Sequence, residues 1–123
     1  MPKRILVVDD DPVIVRMLES KLQSNGYEVI TSQEATNGLE IAIKEFPDLI
    51  ILDVMMPIVN GYNFCRLLKS QEKHKDIPIM MLTSRSEAED RRIGKEVGAD
   101  AYVLKPFNID ELLGTVRSLL RLS

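Results

Sequence analysis

The chain has 123 residues, of which 45% are hydrophobic and 28% are charged. This length suits one domain with a single core, and this composition excludes a disordered chain. No apolar stretch approaches the roughly 20 residues of a membrane span, and the first residues leave no room for a signal peptide, so we expect a cytoplasmic protein without membrane contact. The net charge of −3 argues against direct nucleic-acid binding. The single Cys65 cannot form an internal disulfide and is expected to be a buried apolar side chain.

Strand-like and helix-like segments alternate along the chain. Runs rich in β-branched and other apolar residues predict five strands, at 4–8, 27–31, 48–52, 77–82 and 101–104. Amphipathic stretches of helical length predict five helices, at about 12–25, 35–46, 61–71, 87–97 and 109–121. The first, third and fourth strands are almost entirely apolar, which is typical of parallel strands covered on both faces by helices. The pattern therefore predicts an α/β fold with a doubly wound parallel sheet.

Capping residues mark several helix boundaries. Asp11 precedes Pro12, which combines a good N-cap with proline at the first helical position. Asn25-Gly26 is a typical helix end. Asn108 stands three residues before a glutamate, which is the spacing of a capping box. These signals support the predicted first and last helices.

Polar residues follow most of the predicted strands directly. In a doubly wound sheet, ligands bind beyond the carboxyl ends of the strands, so these residues are expected to meet there. They are Asp9, Asp10 and Asp11 after the first strand, Asp53 after the third, Thr83 and Ser84 after the fourth, and Lys105 with Pro106 after the fifth.

This acidic edge excludes the common nucleotide sites of such folds. The chain has neither a GxGxxG motif nor a Walker-type loop, and an acidic first loop would repel phosphate. Clustered carboxylates suit a hard cation instead, and Mg²⁺ is usually held by one or two carboxylates, waters and a substrate phosphate. The residues predict a Mg²⁺ site, with Mn²⁺ possible, where the metal in turn binds phosphate.

Four segments carry a family resemblance: "ILVVDDDP", "DLIILDVMMPIVNG", "IPIMMLTS" and "GADAYVLKPF". Together they make the chain similar to the receiver domain of bacterial two-component response regulators, over nearly all of residues 1–123. The resemblance implies a single flavodoxin-like (βα)5 domain with strand order 2-1-3-4-5. It also implies a regulatory phosphoacceptor that catalyses only its own phosphorylation and slow dephosphorylation, and not an enzyme.

The resemblance assigns roles to the residues at the sheet edge. It makes Asp53 the acceptor of a phosphoryl group from the phosphohistidine of a histidine kinase or histidine phosphotransferase, in a Mg²⁺-dependent reaction. Asp10 and Asp53 would bind Mg²⁺ directly and Asp9 largely through water, with the backbone carbonyl of Met55 as a further ligand. Asp11 would only cap the helix.

The remaining family positions concern the phosphoryl group and the switch. Lys105 and Thr83 would each contact a phosphoryl oxygen, and backbone N–H groups near Val54 and Ser84 would hold the rest. Tyr102 matches the aromatic switch position, and the Lys105–Pro106 bond is expected to be cis.

The resemblance places the output on the face formed by the predicted helix 87–97, the strand 101–104 and the helix 109–121. Its target would be an output protein or a C-terminal domain absent from this chain. Ala101 and Thr115 stand where the branch with winged-helix domains has an Asp–Arg pair across a dimer. We therefore expect a monomer or a weak phosphorylation-dependent dimer.

Two other classes of function fit these residues less well. A metal-dependent phosphohydrolase with an Asp nucleophile would need a second acid two residues after Asp53, where Met55 stands. A scaffold that merely resembles a receiver would be expected to lack some of Asp10, Asp53 and Lys105, and all three are present. His74 lies in the polar stretch "QEKHKD", which predicts a solvated side chain and not a phosphodonor.

Overall fold

The computed structural model of the chain describes residues 2–54, 61–83 and 98–122. Its strands are β1 (Arg4–Val8), β2 (Glu28–Ser32), β3 (Leu49–Asp53), β4 (Ile79–Thr83) and β5 (Ala101–Leu104). Its helices in these ranges are α1 (Pro12–Ser24), α2 (Ala35–Glu45), α3 (Gly61–Lys69) and a last helix (Ile109–Leu122). The predicted helix at 87–97 lies outside the described residues. Within the described ranges, no helix is both long enough and apolar enough to cross a membrane.

The five strands form one parallel sheet in the order β2-β1-β3-β4-β5. This confirms the doubly wound, flavodoxin-like order 2-1-3-4-5. Three strands begin one or two residues later than predicted, as β2 illustrates. The N–H of Tyr27 donates to the carbonyl of Leu22 at the end of α1, so this residue closes the helix instead of joining the sheet.

The described helices cover both faces of the sheet. On one face, α2 and α3 pack on side chains that include Leu6, Val8, Ile50 and Leu52. On the other, α1 and the last helix pack on Ile5, Val7, Leu49 and Ile51 among others. All residues of β3 and β4 are buried, as the apolar runs predicted. Because helices bury both faces of the sheet, polar groups can gather at the carboxyl ends of the strands.

The predicted caps are confirmed. The Asp11 carboxylate accepts a hydrogen bond from the N–H of Val13 at 2.9 Å. Gly26 follows the end of α1 with a φ of 90°, a left-handed conformation that glycine adopts without steric cost. The side-chain oxygen of Asn108 accepts from the N–H groups of Asp110 and Glu111, at 2.8 and 3.1 Å. These bonds satisfy donors that the first turn of a helix leaves unpaired.

The prediction that His74 is solvated is wrong, because the residue is 5% exposed. Its Nε2 lies 2.8 Å from the carbonyl oxygen of Ile43, and its ring stacks on Phe46 with centroids 4.1 Å apart. Both partners lie at the end of α2, far away in sequence. The polar neighbours of His74 therefore predicted its exposure poorly, since the residues that cover it come from another part of the chain.

Cys65 is fully buried, as predicted. Burial raises the pKa of its thiol to about 11, an effect that the nearby charge of Lys69 only partly offsets. A thiol with such a pKa forms little thiolate and is a packing residue.

Gly38 on α2 is expected to resist substitution. A Cβ at this position would lie 2.8 and 2.9 Å from the two methyl groups of Val8, which is buried and stiff. Overpacking costs about 1–3 kcal/mol, and replacing helical glycine by alanine gains only about 1 kcal/mol. Gly38→Ala should therefore lower the free energy of unfolding by roughly 1 kcal/mol. Urea unfolding checks this, with Gly114→Ala as control, because the nearest described atom that a methyl group there would meet lies 3.8 Å away. Equal stability of the two variants would contradict the prediction.

Candidate functional site

Three carboxylates meet at the carboxyl edge of the sheet. Asp9 follows β1 and Asp53 ends β3, and these two strands are neighbours. Asp9 is fully buried, Asp53 is 4% exposed, and Asp10 is exposed to solvent. One carboxylate oxygen from each residue lies within 4.8 Å of the others. The structure therefore brings together the three acids that the sequence predicted to converge.

Lys105 extends from the end of β5 toward these acids. Its Nζ lies 2.9 Å from Oδ2 of Asp9 and 3.4 Å from Oδ1 of Asp53. Burial lowers the pKa of this ammonium group, but the hydrogen bond to Asp9 and the charges of Asp9 and Asp53 outweigh burial. The pKa of Lys105 is therefore raised above its ordinary value. The lysine is held as a cation between the two buried carboxylates.

The charges at this edge do not balance. Among the residues that the structure describes, three carboxylates face one ammonium group, which leaves an excess of two negative charges in a partly buried space. Buried carboxylates without a compensating charge cost several kcal/mol. Oxygen donors at this spacing are the ligands that Mg²⁺ and Mn²⁺ prefer. The donor set therefore fits a divalent metal ion.

The three acids are not equally available to a metal. Oδ1 of Asp9 accepts a hydrogen bond from the N–H of Asp11 at 2.9 Å, and its Oδ2 bonds to Lys105. Asp10 is exposed. Both oxygens of Asp9 are therefore engaged by the chain itself, and the direct binding of a metal by Asp10 stays a prediction.

Thr83 ends β4 beside this cluster and is 1% exposed. Its carbonyl accepts a hydrogen bond from the N–H of Lys105 at 2.6 Å, which ties the ends of β4 and β5 together. The Lys105–Pro106 peptide bond that follows is cis, as predicted. The strand ends thus place the threonine and the lysine at the same edge as the acids.

Tyr102 is half-buried on β5. In the sheet register it pairs with Met81, and Leu104 pairs with Thr83. Residues two apart in a strand share a face, so Tyr102 and Thr83 are diagonal neighbours on the same face of the sheet. Tyr102 packs against the cluster that contains Met81.

The backbone of Val54 is engaged on both sides. Its N–H donates to the carbonyl of Leu82 at 3.0 Å, and its carbonyl accepts from the N–H of Gly61 at 2.9 Å. The N–H that was predicted to hold phosphate is therefore part of the sheet and would serve phosphate only if that bond opened. The other two predicted backbone contacts, at Met55 and Ser84, lie outside the described residues.

The sequence reasoning assigned no role to Gly61. The structure packs this residue directly against the peptide that joins Asp53 to Val54. A glycine at the first position of the helix that follows β3 was the available signal for this contact.

Comparisons with known proteins agree with this geometry. The family model described as response regulator receiver domain matches residues 5–117. The chain is 50% identical over 119 residues to "Probable transcriptional regulator ycf27" of Porphyra purpurea, covering 97% of this chain and 48% of that protein. It is 42% identical over 118 residues to "DNA-binding dual master transcriptional regulator RpaA" of a Synechocystis strain, covering 96% and 49%.

A solved structure shows the same fold. The chemotaxis protein CheY4 of Vibrio cholerae superposes with a TM-score of 0.92 at 38% identity, covering 97% of this chain and 99% of that one. The chain spans about half the length of the curated relatives it matches. The family match over most of the chain, together with the fold and the acidic edge, shows that this chain belongs to the response regulator receiver domains of two-component signalling.

Proposed function

We propose that Asp53 is the phosphoacceptor of a two-component phosphorelay. The donor is the phosphohistidine of a sensor histidine kinase or a histidine phosphotransferase. One observation carries the proposal: the buried Asp53 carboxylate lies with Asp9 and Asp10 within 4.8 Å and has the Lys105 ammonium group 3.4 Å away. A buried acid in such surroundings is a nucleophile with a preformed charge environment.

The proposed step is an in-line displacement at phosphorus. A carboxylate oxygen of Asp53 forms the new P–O bond while the P–N bond to the donor histidine breaks, and the electron pair of that bond stays on the histidine nitrogen. The product is an acyl phosphate on Asp53. Lys105 and the Thr83 hydroxyl stabilise the phosphoryl oxygens. A backbone N–H near Ser84 is a further donor, and the N–H of Val54 joins it once its bond to the carbonyl of Leu82 opens.

Asp9, Asp10 and Asp53, with the backbone carbonyl of Met55, would hold Mg²⁺ or Mn²⁺. When bound, the metal neutralises charge on the phosphoryl oxygens. The residues of the chain position the nucleophile and keep Lys105 charged beside it. Because Met55 and Arg85 carry neither a carboxylate nor a carboxamide, nothing at these positions would orient an attacking water, and slow self-dephosphorylation is expected.

The phosphorylated domain is proposed to act on an output partner or on a further domain of a longer regulator, inside the cytoplasm. The matched relatives are about twice as long and carry names of transcriptional regulators, which supports a DNA-binding output outside this chain. The net charge of −3 supports the absence of direct nucleic-acid contact by the receiver. A cleft of about 560 Å³ lined by Tyr102, Pro106, Glu111 and Thr115 supports the β5 side as the output face.

The proposed function is tested by incubating the chain with acetyl phosphate, with Mg²⁺ or with EDTA. We expect one added phosphoryl group by intact mass only when Mg²⁺ is present. Hydroxylamine should remove it, because hydroxylamine cleaves an acyl phosphate and leaves phosphoserine and phosphothreonine intact. A hydroxylamine-resistant product would contradict a carboxylate acceptor.

Mg²⁺ is expected to bind weakly to the unphosphorylated chain, because much of its shell is left to water. Calorimetric or NMR titration should show one site. The double variant Asp10→Ala with Asp53→Ala should lose binding, and Asp76→Ala, in the loop between α3 and β4, should keep it. Unchanged affinity in the double variant would remove the basis of the metal assignment.

A further inference from the structure

Gly61, the first residue of α3, lies against the peptide that carries the proposed acceptor. A Cβ built at Gly61 would lie 2.7 Å from the carbonyl oxygen of Asp53 and 2.7 Å from the Cα of Val54. The carbonyl carbon of Asp53 would be 3.3 Å away. All three are backbone atoms and cannot rotate aside as a side chain would. A methyl group at Gly61 therefore requires the helix and the acceptor peptide to separate.

The requirement for glycine at this position is steric and not conformational. The described glycines with a left-handed backbone are Gly26 and Gly98. Gly61 is outside this group, so its φ is not in the left-handed region that disfavours alanine. Alanine is also the better helix former, by about 1 kcal/mol. Among the described residues, the contact with the acceptor peptide is therefore the main source of any loss caused by Gly61→Ala.

This contact is part of a clamp around Val54, whose N–H belongs to the acceptor peptide and whose carbonyl belongs to the next peptide. On the sheet side, the N–H of Val54 donates to the carbonyl of Leu82. On the helix side, the N–H of Gly61 donates to the carbonyl of Val54 at 2.9 Å. The helix cannot retreat easily, because it buries Phe64, Cys65 and Leu68 against the sheet. The clamp therefore fixes the backbone position from which the Asp53 side chain extends.

We infer that Gly61 is a positioning residue for the Asp53 carboxylate. It lets α3 close directly onto the acceptor peptide and so holds the carboxylate in line with Lys105 and the other two acids. The inference rests on the proposed phosphoacceptor function of Asp53. Gly61 itself contacts no reacting atom and acts only through the backbone of Asp53 and Val54.

The expected size of the effect follows from the distances. Ordinary contact begins at 3.4 Å, so an added methyl group at 2.7 Å reaches ordinary contact only after a shift of about 0.7 Å. A misplacement of about 1 Å can lower a reaction rate about 100-fold. Gly61→Ala should therefore lower the rate of phosphorylation by acetyl phosphate roughly 10- to 100-fold.

The experiment compares wild type, Gly61→Ala and two control variants. Gly114→Ala makes the same chemical change in the last helix, where the nearest atom of the described part of the chain lies 3.8 Å from the added methyl group. Val116→Ala lowers stability at a buried position of the last helix, away from α3. Each chain is assayed for urea stability, Mg²⁺ affinity and initial phosphorylation rate. The assays are made in trimethylamine N-oxide, which favours the folded state of a destabilised variant.

We expect weaker Mg²⁺ binding and slower phosphorylation in Gly61→Ala alone, with both controls at the wild-type level. Gly61→Ala that reacts as fast as Val116→Ala would overturn the inference and make the glycine a packing residue only. Gly61→Ala that stays unfolded in the osmolyte would also overturn it, because the contact would then serve folding. A wild-type chain that accepts no phosphoryl group would contradict the proposed function instead.

Discussion

Replacing Asp53 by asparagine is expected to abolish phosphorylation by acetyl phosphate. An amide has nearly the same shape as a carboxylate but is a very poor nucleophile, so the P–O bond does not form. Removal of a nucleophile typically lowers a rate by roughly 10⁴-fold or more, which places the variant below detection. Intact-mass analysis after incubation with Mg²⁺ and acetyl phosphate measures the result.

The variant should remain folded, so the loss can be assigned to chemistry. Asp53→Asn removes one of three carboxylates that face a single lysine, and so it lowers the repulsion among buried charges. Asp11→Asn is the matched control, because Asp11 caps α1 and asparagine is an equally good N-cap. This control should be phosphorylated like wild type. Full phosphorylation of Asp53→Asn would move the acceptor to another residue.

Replacing Thr83 by alanine is expected to separate phosphorylation from its readout. Thr83→Ala should still accept phosphate on Asp53 but lose most phosphorylation-induced NMR shifts in residues 86–115. An acyl phosphate adds negative charge and acceptor oxygens beside Thr83, and a charge-assisted hydrogen bond would draw the hydroxyl toward it. Space behind β4 would then open for Tyr102, its diagonal neighbour on β5.

The coupling is a bias between two existing conformations. A differential interaction of about 1–3 kcal/mol shifts the populations roughly 5- to 150-fold, so some activity without phosphate is expected. Thr31→Ala serves as the control, since Thr31 lies on β2 at the opposite edge of the sheet. Shifts of wild-type size in Thr83→Ala would show that the signal leaves the site by another route.

Local patterns in the sequence predicted most of the architecture. The apolar runs predicted β1 and β5 to the residue, because four or five consecutive residues carry their own strand preference. Asp11 and Pro12 marked the start of α1 by chemistry that acts within one turn. The parallel topology then placed Asp9, Asp10 and Asp53 at one edge without any knowledge of side-chain packing.

Contacts between distant segments were decided only by the tertiary structure. Lys105 was expected to meet a phosphoryl group, and the structure shows which carboxylates hold it, across 96 positions of sequence to Asp9. His74 was expected in solvent, and the end of α2 covers it. Gly61 carried no predicted role, and its contact with the Asp53 peptide exists only once α3 packs on the sheet.

One physical reason explains why local patterns predicted the helices and strands while only the tertiary structure decided the long-range contacts. Strand and helix preferences, caps and the alternation of apolar residues are properties of a few neighbouring residues, so the sequence by itself determined the elements, their order and the edge where the acids gather. Burial and close approach depend on which surfaces face each other after folding. The tertiary structure alone therefore decided the partners of Lys105, the burial of His74 and the closeness of Gly61 to the acceptor.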